Sequence, residues 1–156
     1  MPVYLVRHAV AQSRSDYGAG DDDLRPLTRR GERQAARLTD MLAQADVRRV
    51  YSSPAVRCVD TVAPVAGKLG LEVRPVAALK EGSGGRAAYD LLRDCAGRKG
   101  DSVLCTHGDI VPELLRRVSR DGAALPGELR WAKGSTWVLE TDGSGVTKAT
   151  YVPPSV

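Results

Sequence analysis

Phenylalanine is absent from this chain of 156 residues, and aromatic residues make up only 4% of it. An apolar core must therefore be built from valine, leucine and alanine. Cysteine is scarce as well: Cys58, Cys95 and Cys105 are an odd set with no Cys-x-x-Cys pair. With only two histidines beside them, they do not make a zinc site. They read as reduced, mostly buried thiols of a cytosolic protein. No apolar run is long enough to cross a bilayer. The opening Met-Pro-Val-Tyr-Leu-Val-Arg-His is too short and wrongly flanked for a signal peptide. A cytoplasmic location with no membrane partner is the expectation. The aromatic residues do not interleave with a basic stripe, and no nucleic-acid motif is present, so no nucleic acid is expected either.

What is present is ordinary for a globular domain. Hydrophobic residues make up 42% and charged residues 27% of the chain. The length predicts a single domain, residues 1–156, able to bury most of its apolar surface without a staple. The net charge is +4, mostly from arginine. This suits anionic partners such as phosphates, although an arginine-rich surface alone has the same effect on the balance.

Apolar runs alternate with helical patterns along the chain. Val-Tyr-Leu-Val at 3–6 reads as a buried strand ending abruptly at Arg7-His8. Residues 9–27 are polar and read as a long loop, of the kind that often carries function. Thr28 is a helix N-cap for an amphipathic stretch over 29–44. A second strand ends at Val50-Tyr51, and Ser53-Pro54 opens a helix to about Lys68 that Pro64 is expected to kink. Residues 71–76, with Pro75, suit an edge strand. Gly-Ser-Gly-Gly-Arg at 82–86 is a flexible link before a helix near 87–97. A strand over 102–106 and a helix from about 110 to Val118 follow. Segments 135–140 and 146–152, joined by Asp-Gly-Ser-Gly, form a hairpin. This order predicts an α/β fold of three layers, α/β/α, with a mostly parallel central sheet and a C-terminal antiparallel hairpin.

In such sheets ligands bind beyond the carboxyl ends of the strands. Both histidines of the chain fall there, His8 after the run at 3–6 and His107 after Val-Leu-Cys-Thr at 103–106. Arg7 precedes the first histidine. Arg57 lies in the first turn of the helix opened by Ser53-Pro54, where free backbone N–H groups and the helix dipole favour an anion. Gly108, beside His107, permits close backbone approach. Two arginines and two histidines at helix and strand termini suit a phosphate group.

The motifs carrying these residues resemble the histidine phosphatase, or phosphoglycerate mutase-like, superfamily. Leu-Val-Arg-His-Ala at 5–9 is similar to its Arg-His-Gly signature, with Ala9 in the place of the commoner glycine. Leu-Thr-x-x-Gly-x-x-Gln-Ala at 27–35, Tyr-Ser-Ser-Pro-x-x-Arg-Cys-x-x-Thr at 51–61, Leu-Lys-Glu-Gly at 79–82 and Thr-His-Gly-Asp at 106–109 follow in the family's order. The resemblance implies a phosphatase working through a covalent phosphohistidine on His8, without a metal or other cofactor. Arg7, Arg57 and His107 would then hold the phosphoryl oxygens, and Glu81 would be the proton donor. Asp109 is the rival donor, although it also suits an ordinary helix start. Ser13 and Arg14, in the loop after the nucleophile, are candidates for substrate contact.

The likeness leaves the substrate open among a phosphorylated small molecule, a nucleotide and a phosphohistidine protein. Residues 82–100 are short and glycine-rich, leaving little material for a lid. Arg-Pro-Leu-Thr at 25–28 resembles the short phosphohistidine phosphatases. Lys-Gly-Ser-Thr-Trp-Val-Leu at 133–139 resembles instead the phosphatase half of Nudix–phosphatase fusions, which act in clearing oxidised guanine nucleotides. A strand with a core tryptophan accounts for that stretch equally well. A phosphoprotein-binding module without turnover is the non-enzymatic alternative, and a retained nucleophile argues against it.

Overall fold

The computed structural model describes residues 1–155. Its core is one six-stranded sheet in the order β3-β2-β4-β1-β5-β6. Strands β1 (Val3–Arg7), β2 (Val47–Ser52), β3 (Val73–Pro75) and β4 (Asp101–Thr106) run parallel to one another. Strands β5 (Thr136–Asp142) and β6 (Gly145–Val152) form the antiparallel hairpin, and β5 joins the sheet alongside β1. The short β3, with its proline, is an edge strand, as residues 71–76 predict.

Strand alternation divides the core in two. Val3 and Leu5 of β1, with Leu104 of β4, pack against helices α4 (Arg86–Ala96) and α5 (Ile110–Arg120) through Leu92, Ile110, Leu114 and Leu115. Val6, Val103 and Cys105 face the opposite side. There they meet α2 (Arg29–Leu42) and α3 (Val56–Lys68) through Leu38, Leu42, Cys58, Val62 and Val65. Full burial of each such aliphatic side chain contributes about 1.5–3 kcal/mol. These are the three expected layers. Valine, leucine and alanine supply most of the core, with Trp137 as its largest buried side chain. The Trp137 indole N–H donates to the Arg130 carbonyl at 2.8 Å. All three cysteines are buried and free.

Helix α3 runs from Val56 to Lys68 with Pro64 inside it, and two local expectations change. Residues 9–27 are not loop throughout: they hold the one-turn helix α1 (Arg14–Tyr17), a 3-10 turn at Asp22–Leu24 and a bridge between Ala11 and Leu27. Asp109 does not cap α5 with its side chain, whose carboxylate accepts the Gly82 N–H at 2.8 Å instead. Thr28 does cap α2, accepting from the Gly31 N–H at 3.1 Å. Among the described residues, no helix is long and apolar enough to cross a membrane.

Candidate active site

The site grows out of sheet register. Strands β1 and β4 are neighbours, with Arg7 opposite Thr106, so the residues that follow them emerge side by side. The His8 N–H donates to the Thr106 carbonyl at 3.0 Å. Ser53, at the end of β2, donates its N–H to the Cys105 carbonyl at 2.9 Å. His8, His107 and Ser53 thus share one end of the sheet. The two imidazoles stand edge to face, with ring centroids 5.5 Å apart.

The His8 tautomer is fixed by its neighbour. Nδ1 lies 2.8 Å from the Ala9 carbonyl oxygen. A carbonyl only accepts, so Nδ1 must carry the proton and Nε2 must present a lone pair. The ring is buried, and burial lowers its pKa to about 3 against the pull of the Ala9 bond, with His107, Arg57 and Arg7 adding to the fall. His8 is therefore neutral near pH 7.

Arg57 is 1% exposed. Its Nη1 donates to the Asp22 carbonyl at 2.8 Å and its Nη2 to Glu81 Oε2 at 2.9 Å. The same Nη2 lies 3.4 Å from His107 Nδ1. On the far side of the His107 ring, Nε2 shares a 2.8 Å hydrogen bond with the Ser53 hydroxyl. Arg7 Nη1 donates to the Trp131 carbonyl at 2.7 Å. The Nε atoms of Arg7 and Arg57 are buried without a hydrogen-bond partner. Burial lowers the Arg7 pKa despite Glu81 nearby. Gly108 makes room for this guanidinium, because a Cβ there would stand 2.6 Å from Arg7 Nη2.

A cavity of about 590 Å³ opens over these groups, with Arg7, His8, Arg57, Glu81 and His107 among its lining residues. Both loop candidates line it too. Ser13 is the cap of α1, its hydroxyl accepting from the Asp16 N–H at 3.1 Å. Arg14 is exposed and pairs with Glu81 at 3.3 Å and with Asp22 at 3.6 Å. All seven sequence candidates therefore reach one cavity.

Sequence reasoning did not place Arg25, Lys133 or Asp22 at the site. Arg25 and Lys133 line the cavity. Asp22 pairs with Arg14, Arg25 and Arg57, and these arginines overcome its desolvation and lower its pKa. The motif over 27–35 holds the signal that was available. Gly31 packs so tightly against the Val10 carbonyl that a Cβ would collide with it. Gln34, buried, accepts the Val10 N–H at 2.9 Å and donates to the Lys133 carbonyl at 3.3 Å. Gly134 then donates its N–H to the His8 carbonyl at 3.0 Å and the Arg7 carbonyl at 3.2 Å. The stretch around Lys133 is thereby tied to the backbone beneath His8.

Residues 3–91 match the family model of the histidine phosphatase superfamily, branch 1. The chain belongs to that superfamily. A relative from Mycolicibacterium smegmatis, an 8-oxo-(d)GTP phosphatase, is 35% identical over 155 residues, covering 97% of this chain and 48% of its own length. The chain thus spans about half of that relative. Among solved structures, the protein histidine phosphatase SixA bound to tungstate superposes with a TM-score of 0.76 at 21% identity, over 97% of this chain and 94% of its own. A mycobacterial glucosyl-3-phosphoglycerate phosphatase gives 0.70 at 16% identity, with 96% of each chain covered. A phosphoserine phosphatase from Entamoeba histolytica, an H9A mutant with phosphoserine, gives 0.65 at 15%, over 98% and 95%. The three are named for three different substrates, so the shared fold does not identify a substrate.

Proposed function

We propose that the chain is a phosphatase that hydrolyses phosphomonoesters or phosphohistidine through a covalent intermediate on His8. The observation carrying this reading is the His8 ring itself: buried, neutral, its proton held on Nδ1 by Ala9 and its Nε2 free. A neutral imidazole is a competent nucleophile at pH 7. Nε2 forms the N–P bond as the ester P–O bond breaks. Arg7, Arg57 and His107 take the phosphoryl oxygens, and their charge stabilises the transition state. The Ala9 carbonyl steadies the cation that forms on the ring. Glu81, within 3.8 Å of His107 Nδ1, passes to the leaving oxygen the proton that the substrate brings as its phosphate monoanion. Water then attacks phosphorus, Glu81 takes a proton from it, the N–P bond breaks, and neutral His8 returns. Ser13 and Arg14 are assigned to the remainder of the substrate. The scheme needs no metal.

Glu81 also sits on Arg57 Nη2, a position suited to a phosphoryl oxygen. Substrate binding is expected to displace it from that guanidinium towards the leaving group. A second reading, that the substrate is a nucleoside phosphate such as an oxidised guanine nucleotide, is favoured by the identity to the 8-oxo-(d)GTP phosphatase. We place the enzyme in the cytoplasm. Hydrolysis of p-nitrophenyl phosphate tests the common core of both readings. It should be lost in His8→Ala, and retention of wild-type turnover would remove His8 as nucleophile. A turnover panel of a phosphohistidine protein, nucleoside mono- and diphosphates and sugar phosphates separates the substrates.

A further inference from the structure

The cavity holds more positive charge than one phosphoryl group uses, and the excess has a location. Asp22 and Glu81 between them pair with Arg14, Arg25 and Arg57. Asp109 turns its carboxylate to the Gly82 N–H. Among the described residues, no carboxylate lies within ion-pair distance of Arg7 or Lys133. Arg7 is half-buried beneath the reaction centre, with its Nε enclosed. Lys133 is exposed at the rim of the same cavity. Its backbone is not free to drift, because Gln34 holds its carbonyl and the next N–H is bonded to the carbonyls of Arg7 and His8. The ammonium is thus an uncompensated charge on an anchored segment beside the nucleophile.

We propose that Lys133 forms a second anion subsite, so that the site prefers substrates carrying another phosphate next to the scissile one. The ligand class is a terminal diphosphate, whose outer phosphorus lies over His8 and whose inner one meets the ammonium. This deepens the phosphatase reading and rests on it. Partial burial, then Arg7, Arg25, Arg14 and Arg57 in that order, lower the Lys133 pKa, as an ammonium facing like charges requires. A bound anion relieves that repulsion. An ammonium acting as a point charge accepts such a phosphate without demanding one fixed geometry.

The test is calorimetric binding of inorganic orthophosphate and pyrophosphate to the His8→Ala protein, with and without Lys133→Ala. Turnover by the wild-type chain is measured separately, so a failure of catalysis and a failure of the subsite remain distinct. Pyrophosphate is expected to bind at least about tenfold more tightly than orthophosphate, in line with one added charge-assisted contact. Lys133→Ala should bring the two within about threefold, and Lys133→Arg should restore most of the gap. The subsite is overturned by equal binding of the two anions, by a preference that survives Lys133→Ala, or by an equal loss for both. Lys133 is exposed, so the variants are expected to fold, and an unchanged thermal midpoint verifies this.

Discussion

The rings of His8 and His107 meet edge to face at an interplanar angle of 66°, one after each of two paired parallel strands. They sit in opposite electrostatic settings. His8 turns its N–H into the backbone and its lone pair outward. His107 directs Nδ1 towards Arg57 and Glu81. In the proposed mechanism one ring attacks and the other receives charge.

The buried state of His8 gives a pH signature. Its folded pKa, about 3, lies below the ordinary value of 6.5. As pH falls below about 6.5 the unfolded chain takes up a proton that the folded chain refuses, so stability falls with pH across the window from 6.5 to about 3. Nitrogen-15 NMR of the imidazoles should show His8 as the neutral Nδ1–H tautomer at pH 5. In His8→Asn the contribution of this group to the acid destabilisation should disappear. A His8 ring that titrates near 6.5 would contradict the burial argument.

Gly108→Ala should act through Arg7. The added methyl group meets the guanidinium at 2.6 Å, and Arg7 must move off its hydrogen bond to the Trp131 carbonyl. Misplacing one charge on a developing phosphoryl transition state costs on the order of 100-fold in kcat/KM. The thermal midpoint should change much less, since Gly108 lies outside regular secondary structure. Steady-state kinetics on an aryl phosphate reads the effect, and an unchanged kcat/KM would show that Arg7 is not needed where it stands.

Glu81→Gln should separate leaving groups. An amide cannot supply the proton, so esters of alkyl alcohols should slow by roughly 100-fold or more. Activated aryl esters, whose leaving oxygen needs little help, should slow far less. Comparable slowing for both classes would assign Glu81 to Arg57 and Arg14, its salt-bridge partners, and not to proton transfer.

Much of this architecture is legible in the sequence because its period signals are strong. Val3, Leu5 and Val6 define a strand with two apolar faces, and Leu38 and Leu42 mark the inner stripe of α2. The four residues assigned to the phosphoryl group are also legible, since each ends or follows a strand or opens a helix. Residues 9–27 are not: α1 is a single turn held by the Ser13 cap, too short for any periodicity to show. Asp22 looks like part of a solvated acidic run, and only the folded chain brings it to three arginines. Arg25 is 7% exposed because Asp22 and the Gln12 carbonyl satisfy it, pairings that arise from chain turns with no apolar period. Lys133 reaches the site from a strand approach far along the chain, tied there by Gln34.

The hairpin also orients the two chain ends. Because β5 runs against β1, Thr141 meets the amino group of Met1 at the end of the sheet remote from the histidines. Strand β6 returns the other way, bringing Val152 opposite Thr136 and Pro153 alongside Gly134. For immobilisation or labelling, an appendage at Met1 leaves the substrate entrance unencumbered, whereas one attached beyond Pro153 crowds the segment that carries Lys133.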